Sequence, residues 1–251
     1  MRFLLLSALL IASSLHALVS IAPVDVGETP GFSGNVSGSF SSKSGNTEKD
    51  EYSLGARLQY DEGEHFVFWG ALSYDYGKSE GVKNEDSAYL HLRYIHALDA
   101  EKAWCAELFA QTQQDDFKDI NNRSLVGAGL RWRFFDSEKW GRGYAGLGAM
   151  YETVSYARES LNRDEDHGRL NSYVAYTKRL PNASRLSYVG YYQPRLDEAS
   201  DYVTTHSLEL IVPIYGSLQL SLGADYAYDS RPPAGIKKKD TALKSTLLWE
   251  F

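Results

Sequence analysis

Residues 241–251 read T-A-L-K-S-T-L-L-W-E-F. Stepping back by twos from the end gives Phe251, Trp249, Leu247, Ser245 and Leu243; the interleaved set is Glu250, Leu248, Thr246, Lys244 and Ala242. A period of two over this length is a β-strand. One face is largely apolar and ends on two aromatics, while the other carries both charge signs.

The same alternation, bounded by turn residues, recurs along the chain in about a dozen segments of roughly 10 to 14 residues. They fall near residues 31–42, 48–60, 65–76, 86–96, 103–113, 123–135, 141–153, 167–178, 185–195, 202–213, 217–228 and 239–251. A tilted strand needs about 9 to 11 residues to cross a bilayer, whereas strands of soluble sheets more often have about five or six. The connections alternate in length. Short ones lie at 61–64, 97–102, 136–140, 179–184 and 214–216, and longer polar ones at 42–47, 77–85, 114–122, 154–166, 196–201 and 229–238. Short turns on one side and longer loops on the other characterise outer-membrane barrels, and an even strand number puts both ends of the sheet on the turn side. The fold class expected is therefore all-β: a transmembrane antiparallel up-and-down β-barrel of about twelve strands over residues 31–251. Its closing strand resembles the last strand of a bacterial outer-membrane barrel, whose terminal aromatic lies at the lipid interface.

The beginning of the chain supplies an address. Arg2 is followed by Phe3, Leu4, Leu5 and Leu6, a small-residue patch, and Leu9, Leu10 and Ile11. A short basic region before an apolar run of this length is a signal peptide, too short for a spanning helix. Residues 1–17 are expected to be cleaved, with a cut after Ser20 as the alternative, and the location expected is the outer membrane of a Gram-negative bacterium.

Composition narrows the chemistry. The net charge is −7, leaving no basic surplus to neutralise phosphates, so no nucleic-acid partner is expected. Cys105 is the single cysteine and no Cys/His cluster has zinc spacing, so neither a metal site nor a cofactor is expected. The histidines past the leader are His65, His91, His96, His167 and His206. None sits in a nucleophile elbow or a metalloprotease motif. The fragments His206–Ser207 and His167 near Asp164 and Asp166 read as solvated loop-end residues, and an enzyme is not expected.

The cost of an Arg or Lys facing mid-bilayer, about 2 to 4 kcal/mol, sets the phase of each strand. It directs Arg57, His91, Arg93, Glu107, Arg131, Arg133, Glu152, Glu209, Asp225, Lys244 and Glu250 to the lumen, with leucine-rich faces outward. Residues 185–195 stay ambiguous because both faces carry tyrosine. Aromatics then gather by strand end, as an amphipathic ring at headgroup depth requires. Tyr74 and Tyr76 belong to the loop-end girdle, and Trp104, Trp132, Phe134, Trp249 and Phe251 to the turn-end girdle. The partners expected are outer-membrane lipid, the barrel assembly machinery through Leu243, Trp249 and Phe251, and small solutes or ions.

Five motifs in order carry a family resemblance: S-G-N-T at 44–47, R-S-L-V-G-A-G-L-R at 123–131, G-L-G-A-M-Y-E at 146–152, Y-Y-Q-P at 191–194 and Y-D-S-R-P-P-A-G-I-K-K-K-D at 228–240. Together they resemble the uncharacterised family of salt-induced outer membrane proteins. The resemblance implies outer-membrane location and hints at osmotic stress; it implies no biochemical activity. Twelve strands about 4.8 Å apart, tilted near 40°, enclose a backbone radius of about 12 Å, leaving a bore on the order of 10 Å. Two outcomes are open for it: a narrow pore for small polar solutes or ions, or a non-conducting envelope barrel closed by lumen salt bridges. An outer-membrane hydrolase ranks below both.

Overall fold

The computed structural model describes residues 23–44, 48–158 and 163–251, and the expected signal peptide with both of its cleavage points lies outside them. The strands are β1 (Gly31–Lys43), β2 (Lys49–Asp61), β3 (Phe66–Ser79), β4 (Val82–Ala97), β5 (Trp104–Asp115), β6 (Ile120–Ser137), β7 (Gly141–Tyr156), β8 (Glu165–Arg179), β9 (Arg185–Pro194), β10 (Tyr202–Tyr215), β11 (Leu218–Asp229) and β12 (Lys239–Glu250). Each pairs antiparallel with its sequence neighbours, and β1 returns to β12 to close the barrel. Closure gives each strand a partner on both sides, the one sheet arrangement that satisfies the backbone in a medium without water.

The expected inside–outside alternation is present. On β2, Ser53 and Asp61 are buried while Leu54 and Leu58 are more than half exposed. Polar residues inside and leucine outside invert the pattern of a water-soluble fold. On the ambiguous β9, Ser187 is fully buried, Val189 and Tyr191 pack inward, and Tyr192 is exposed. Aromatic side chains lie against one another across neighbouring strands at both ends. Near the turns, Phe32 packs on Tyr60, Tyr60 on Phe66 and Phe66 on Tyr94, while Trp104 stacks on Trp132 at 5.6 Å, followed by Phe134. At the loop end, Tyr52 packs on Phe40 and Tyr76, and Tyr202 on Tyr192 and Tyr228.

The connections depart from expectation at β3–β4. The anticipated long loop at 77–85 is instead a continuation of both strands to a two-residue turn, Glu80–Gly81, with φ of 52° and 73°. Two successive left-handed residues match the twist of a hairpin, so the ladder extends beyond its apolar part. Lys83 at this extension bonds Asp86 at 2.9 Å and Asp116 at 2.7 Å. Asp116 belongs to a single 3₁₀ turn, Asp116–Lys118, capped by Asp115, which accepts from the amides of Phe117 and Lys118. On the opposite side, Asp99 accepts from the amides of Ala103 at 2.9 Å and Trp104 at 2.7 Å, and the Ala103 bond in particular holds its carboxyl below the usual range.

The seam between the first and last strands has the shortest register among the described residues. It runs from Asn35 opposite Glu250 to Gly38 opposite Leu247. Phe251 extends it by two backbone bonds with Gly34, each 2.9 Å. Removing Phe251 deletes both. A variant ending at Glu250 is expected to lose about 1–3 kcal/mol, seen as a lower urea midpoint in detergent micelles; an unchanged midpoint would show that the seam does not depend on its last residue.

Candidate functional site: the lumen and its N-terminal plug

Ahead of β1, residues 23–30 turn into the barrel at its turn end. Val24 and Val26 are buried against Val67, Ile95 and Cys105, with Trp69 and Ala97 alongside. Between the two valines the side chain of Asp25, 4% exposed, reaches the opposite wall. It accepts a hydrogen bond of 2.7 Å from Tyr144 Oη and one of 3.1 Å from Arg142 Nη1, and lies 3.5 Å from Arg131 Nη2 and from Arg133 Nη1. Arg131 Nη1 also donates to the Val24 carbonyl at 2.7 Å. A carboxylate withdrawn from water needs such a set of donors, since its desolvation costs several kcal/mol.

A second carboxylate holds the segment from the other side. Asp61, at the end of β2, accepts from the amides of Gly27 at 2.9 Å, Thr29 at 3.0 Å and Gly63 at 2.9 Å. Gly27 has φ +81°, and a Cβ there would stand 2.3 Å from the Gly63 carbonyl oxygen, so no other residue fits this bend. Glu28 accepts from Arg142 and Arg179, both at 2.8 Å. Residues 23–30 therefore tie β2 and the turn after it to β6, β7 and β8. This segment lies between the expected leader, 1–17, and the expected barrel, 31–251. Its signal was the acid between two valines in V-D-V followed by glycine, short and without a strand's length.

Farther in, side chains cross the lumen. Tyr173 of β8 donates to Glu107 of β5 at 2.7 Å, and Arg93 of β4 donates to Tyr191 of β9 at 3.4 Å. Arg93 and Arg131 lie 3.8 Å and 3.9 Å from the same Glu107. Gly146 on β7 makes the room, because a Cβ there would come within 2.0 Å of the Tyr173 ring. Most of the remaining charged residues pair along the wall. Glu152 receives Arg123 at 2.7 Å, Arg169 at 2.5 Å and His167 at 2.6 Å, all from its own or neighbouring strands. Glu209 of β10 accepts from Ser221 of β11 at 2.8 Å, and Lys244 lies 2.5 Å from Asp225, while the attraction between Glu209 and Arg57 of β2 acts across the lumen.

The eleven charged or titratable residues directed to the lumen by strand phase thus take three positions. Arg93, Glu107 and Arg131 meet in the cross-lumen cluster; Arg57, His91, Glu152, Glu209, Asp225 and Lys244 stand along the wall. Arg133 and Glu250 are at the turn end: Arg133 is half-buried and donates to the Glu101 carbonyl at 2.6 Å, and Glu250 is exposed and receives the Gln219 amide. Of the girdle aromatics, Tyr74, Trp104, Trp132, Phe134, Trp249 and Phe251 are exposed on the outer surface, and Tyr76 is half-buried. His206 bonds Tyr188 at 2.8 Å and Thr204 at 3.2 Å, whereas Ser207, its neighbour on the strand, lines the lumen, so alternation parts this His–Ser pair.

Between the plug and the loop end lies a cavity of about 520 Å³. Pro23 and Val24 contribute its lower boundary, Trp69, His91, Phe109 and Tyr173 its walls, and Gln113, Lys118 and Val203 its upper part.

Asp61→Ala strands three backbone donors, at about 1–3 kcal/mol each where they stay buried. Limited proteolysis of the folded barrel is expected to cut this variant between residues 23 and 30 at least tenfold faster than the parent, with the strands intact. Equal rates would mean that Asp61 does not retain the segment.

Comparison with known proteins adds to this geometry. No curated protein matches the chain. Among solved structures, the translocator domain of the autotransporter NalP from Neisseria meningitidis is similar over 88% of this chain and 87% of that one, at 11% identity and a TM-score of 0.50. The NanC porin is similar over 87% of this chain and 98% of that one, at 11% identity and a TM-score of 0.48, and the KdgM porin over 88% and 99%, at 10% identity and a TM-score of 0.44. At such identities the NalP likeness is one of fold. The family model described as protein of unknown function, DUF481, matches residues 36–251, from the middle of β1 to the last residue, and the chain belongs to that family.

Proposed function

We propose that the protein is an integral outer-membrane β-barrel of a Gram-negative bacterium whose lumen is a narrow passage for small polar solutes or ions, shut at the turn end by its own N-terminal segment. The observation that carries this reading is the construction of the closure. The cavity is bordered at the turn end by Pro23 and Val24 of residues 23–30, a segment that belongs to no strand and is held by side-chain contacts to Asp25, Asp61 and Glu28. A segment attached in this way can leave without breaking the sheet. The exposed leucines and the aromatic belts support a lipid surround, and Leu243, Trp249 and Phe251, all exposed on the last strand, are available to the assembly machinery.

A second reading, a non-conducting envelope barrel, is favoured by the Tyr173–Glu107 and Arg93–Tyr191 contacts that span the lumen. Planar-bilayer recording separates the two. The parent protein is expected to give rare openings, and the double variant Asp25→Asn, Asp61→Ala a clearly higher open probability, because both anchors of the plug are lost. Silence from both proteins would leave the envelope-barrel reading standing. Recording across a range of salt concentrations tests the osmotic link that the family resemblance suggests.

A further inference from the structure

The cavity has a lining of one predominant sign although the chain is acidic. Arg57, Arg93, Lys118, Arg123, Arg131 and Lys244 border it, and the acid among the bordering residues, Asp225, is matched by Lys244 at 2.5 Å. The acids that balance the arginines lie behind this surface. Glu107, Glu152 and Glu209 are at most 3% exposed: Tyr173 donates to Glu107 Oε2, whose Oε1 has no hydrogen bond, His167 and Arg169 hold Glu152, and Ser221 holds Glu209. Side-chain length explains the separation, since a guanidinium projects farther from the strand than a carboxylate and reaches the open space first.

A second observation falls on the same wall. Trp69 Nε1, His91 Nε2 and Arg93 Nε are buried without a hydrogen-bond partner, and His91 and Arg93 are more than nine-tenths buried. The three groups are neighbours. The Trp69 and His91 rings are 5.0 Å apart, and the Arg93 guanidinium lies 5.6 Å from the Trp69 ring centre. Buried polar groups are ordinarily satisfied, and three with unmet capacity border one cationic cavity. Tyr89 Oη donates to Gln111 Oε1, which also faces His91 Nδ1 at 3.4 Å; a proton on Nδ1 leaves Nε2 as an acceptor. This wall then offers two donors and one acceptor, which suits an anion that also carries a hydroxyl.

We infer that the lumen cavity binds small oxyanions, carboxylates or phosphates, with Arg93 and Arg123 supplying charge and Trp69 and His91 completing the wall. This deepens the passage reading by naming its solute class, while binding itself requires no conduction. The oxyanion can be a free solute or the headgroup of an anionic lipid.

The test is calorimetry on the whole folded protein in phosphatidylcholine nanodiscs at constant ionic strength, titrated with sodium phosphate, sodium malate or glycerol. Saturable binding of phosphate and malate, and none of glycerol, is expected. Arg93→Gln and Arg123→Gln are each expected to weaken it about tenfold, and Lys139→Gln, in the turn before β7, to leave it unchanged. Arg123→Gln guards against misfolding, because Glu152 keeps Arg169 and His167. Weaker phosphate binding when phosphatidylglycerol replaces part of the phosphatidylcholine assigns a lipid headgroup to the site; unchanged binding assigns a soluble anion. No saturable binding by either anion, or binding that both arginine variants leave intact, overturns the inference. Binding by a protein silent in bilayers would sink the passage reading and keep the site.

Discussion

A carboxylate inside a barrel must find donors or lose its charge, and Asp25 finds four across the lumen. Tyr144, Arg142, Arg131 and Arg133 come from β6 and β7, while the backbone after Asp25, at Gly27 and Thr29, is fixed through Asp61 from β2. The dependence is mutual. Without Asp25 the arginines at this end would crowd like charges into a low-dielectric space, and without the arginines the segment could not bring an acid inside. The turn end of the barrel is therefore closed by charge complementarity between a segment outside the sheet and the sheet's inner face.

Above that closure, the lumen narrows for a steric reason and remains open for an electrostatic one. Gly146 lets the Tyr173 ring lie close to β7, which places its hydroxyl on Glu107 three strands away. Toward the loop end the charged residues mostly pair along the wall instead of across it, and space is left between them. The result is a graded interior: apolar at Val24 and Val26, a cross-linked polar layer at Glu107 and Arg93, then a cavity bordered mainly by cations. The outer surface needs no such gradation, because its leucine rows and aromatic ends follow strand phase alone.

Much of this architecture was legible in the alternation of residues. Period two fixes which side chains share a face, so Leu54 and Leu58 outward and Arg57 inward follow directly, and every strand lies within a few residues of its expected place. At the β3–β4 connection polarity does not mark a loop: Glu80–Gly81 form a tight turn and the polar residues beside it continue the ladder. Period two says nothing of height along the barrel or of the strand opposite. Tyr173 meeting Glu107, and Arg93 meeting Tyr191, thus had no local signal. Residues 23–30 are too few to show a period, and the partners of Asp25 lie more than a hundred residues away.

The native Cys105 offers the most direct test of the central claim, that residues 23–30 occupy the turn end of the lumen. It is buried in one cluster with Val24 and Val26 and is the single cysteine of the chain. A cysteine placed at Val24 or Val26, in the protein folded in lipid and treated with a short thiol-to-thiol cross-linker, is expected to join to Cys105 within each molecule in high yield. Failure of both positions to cross-link, in barrels shown to be folded and to react at Cys105 once unfolded, would contradict the account.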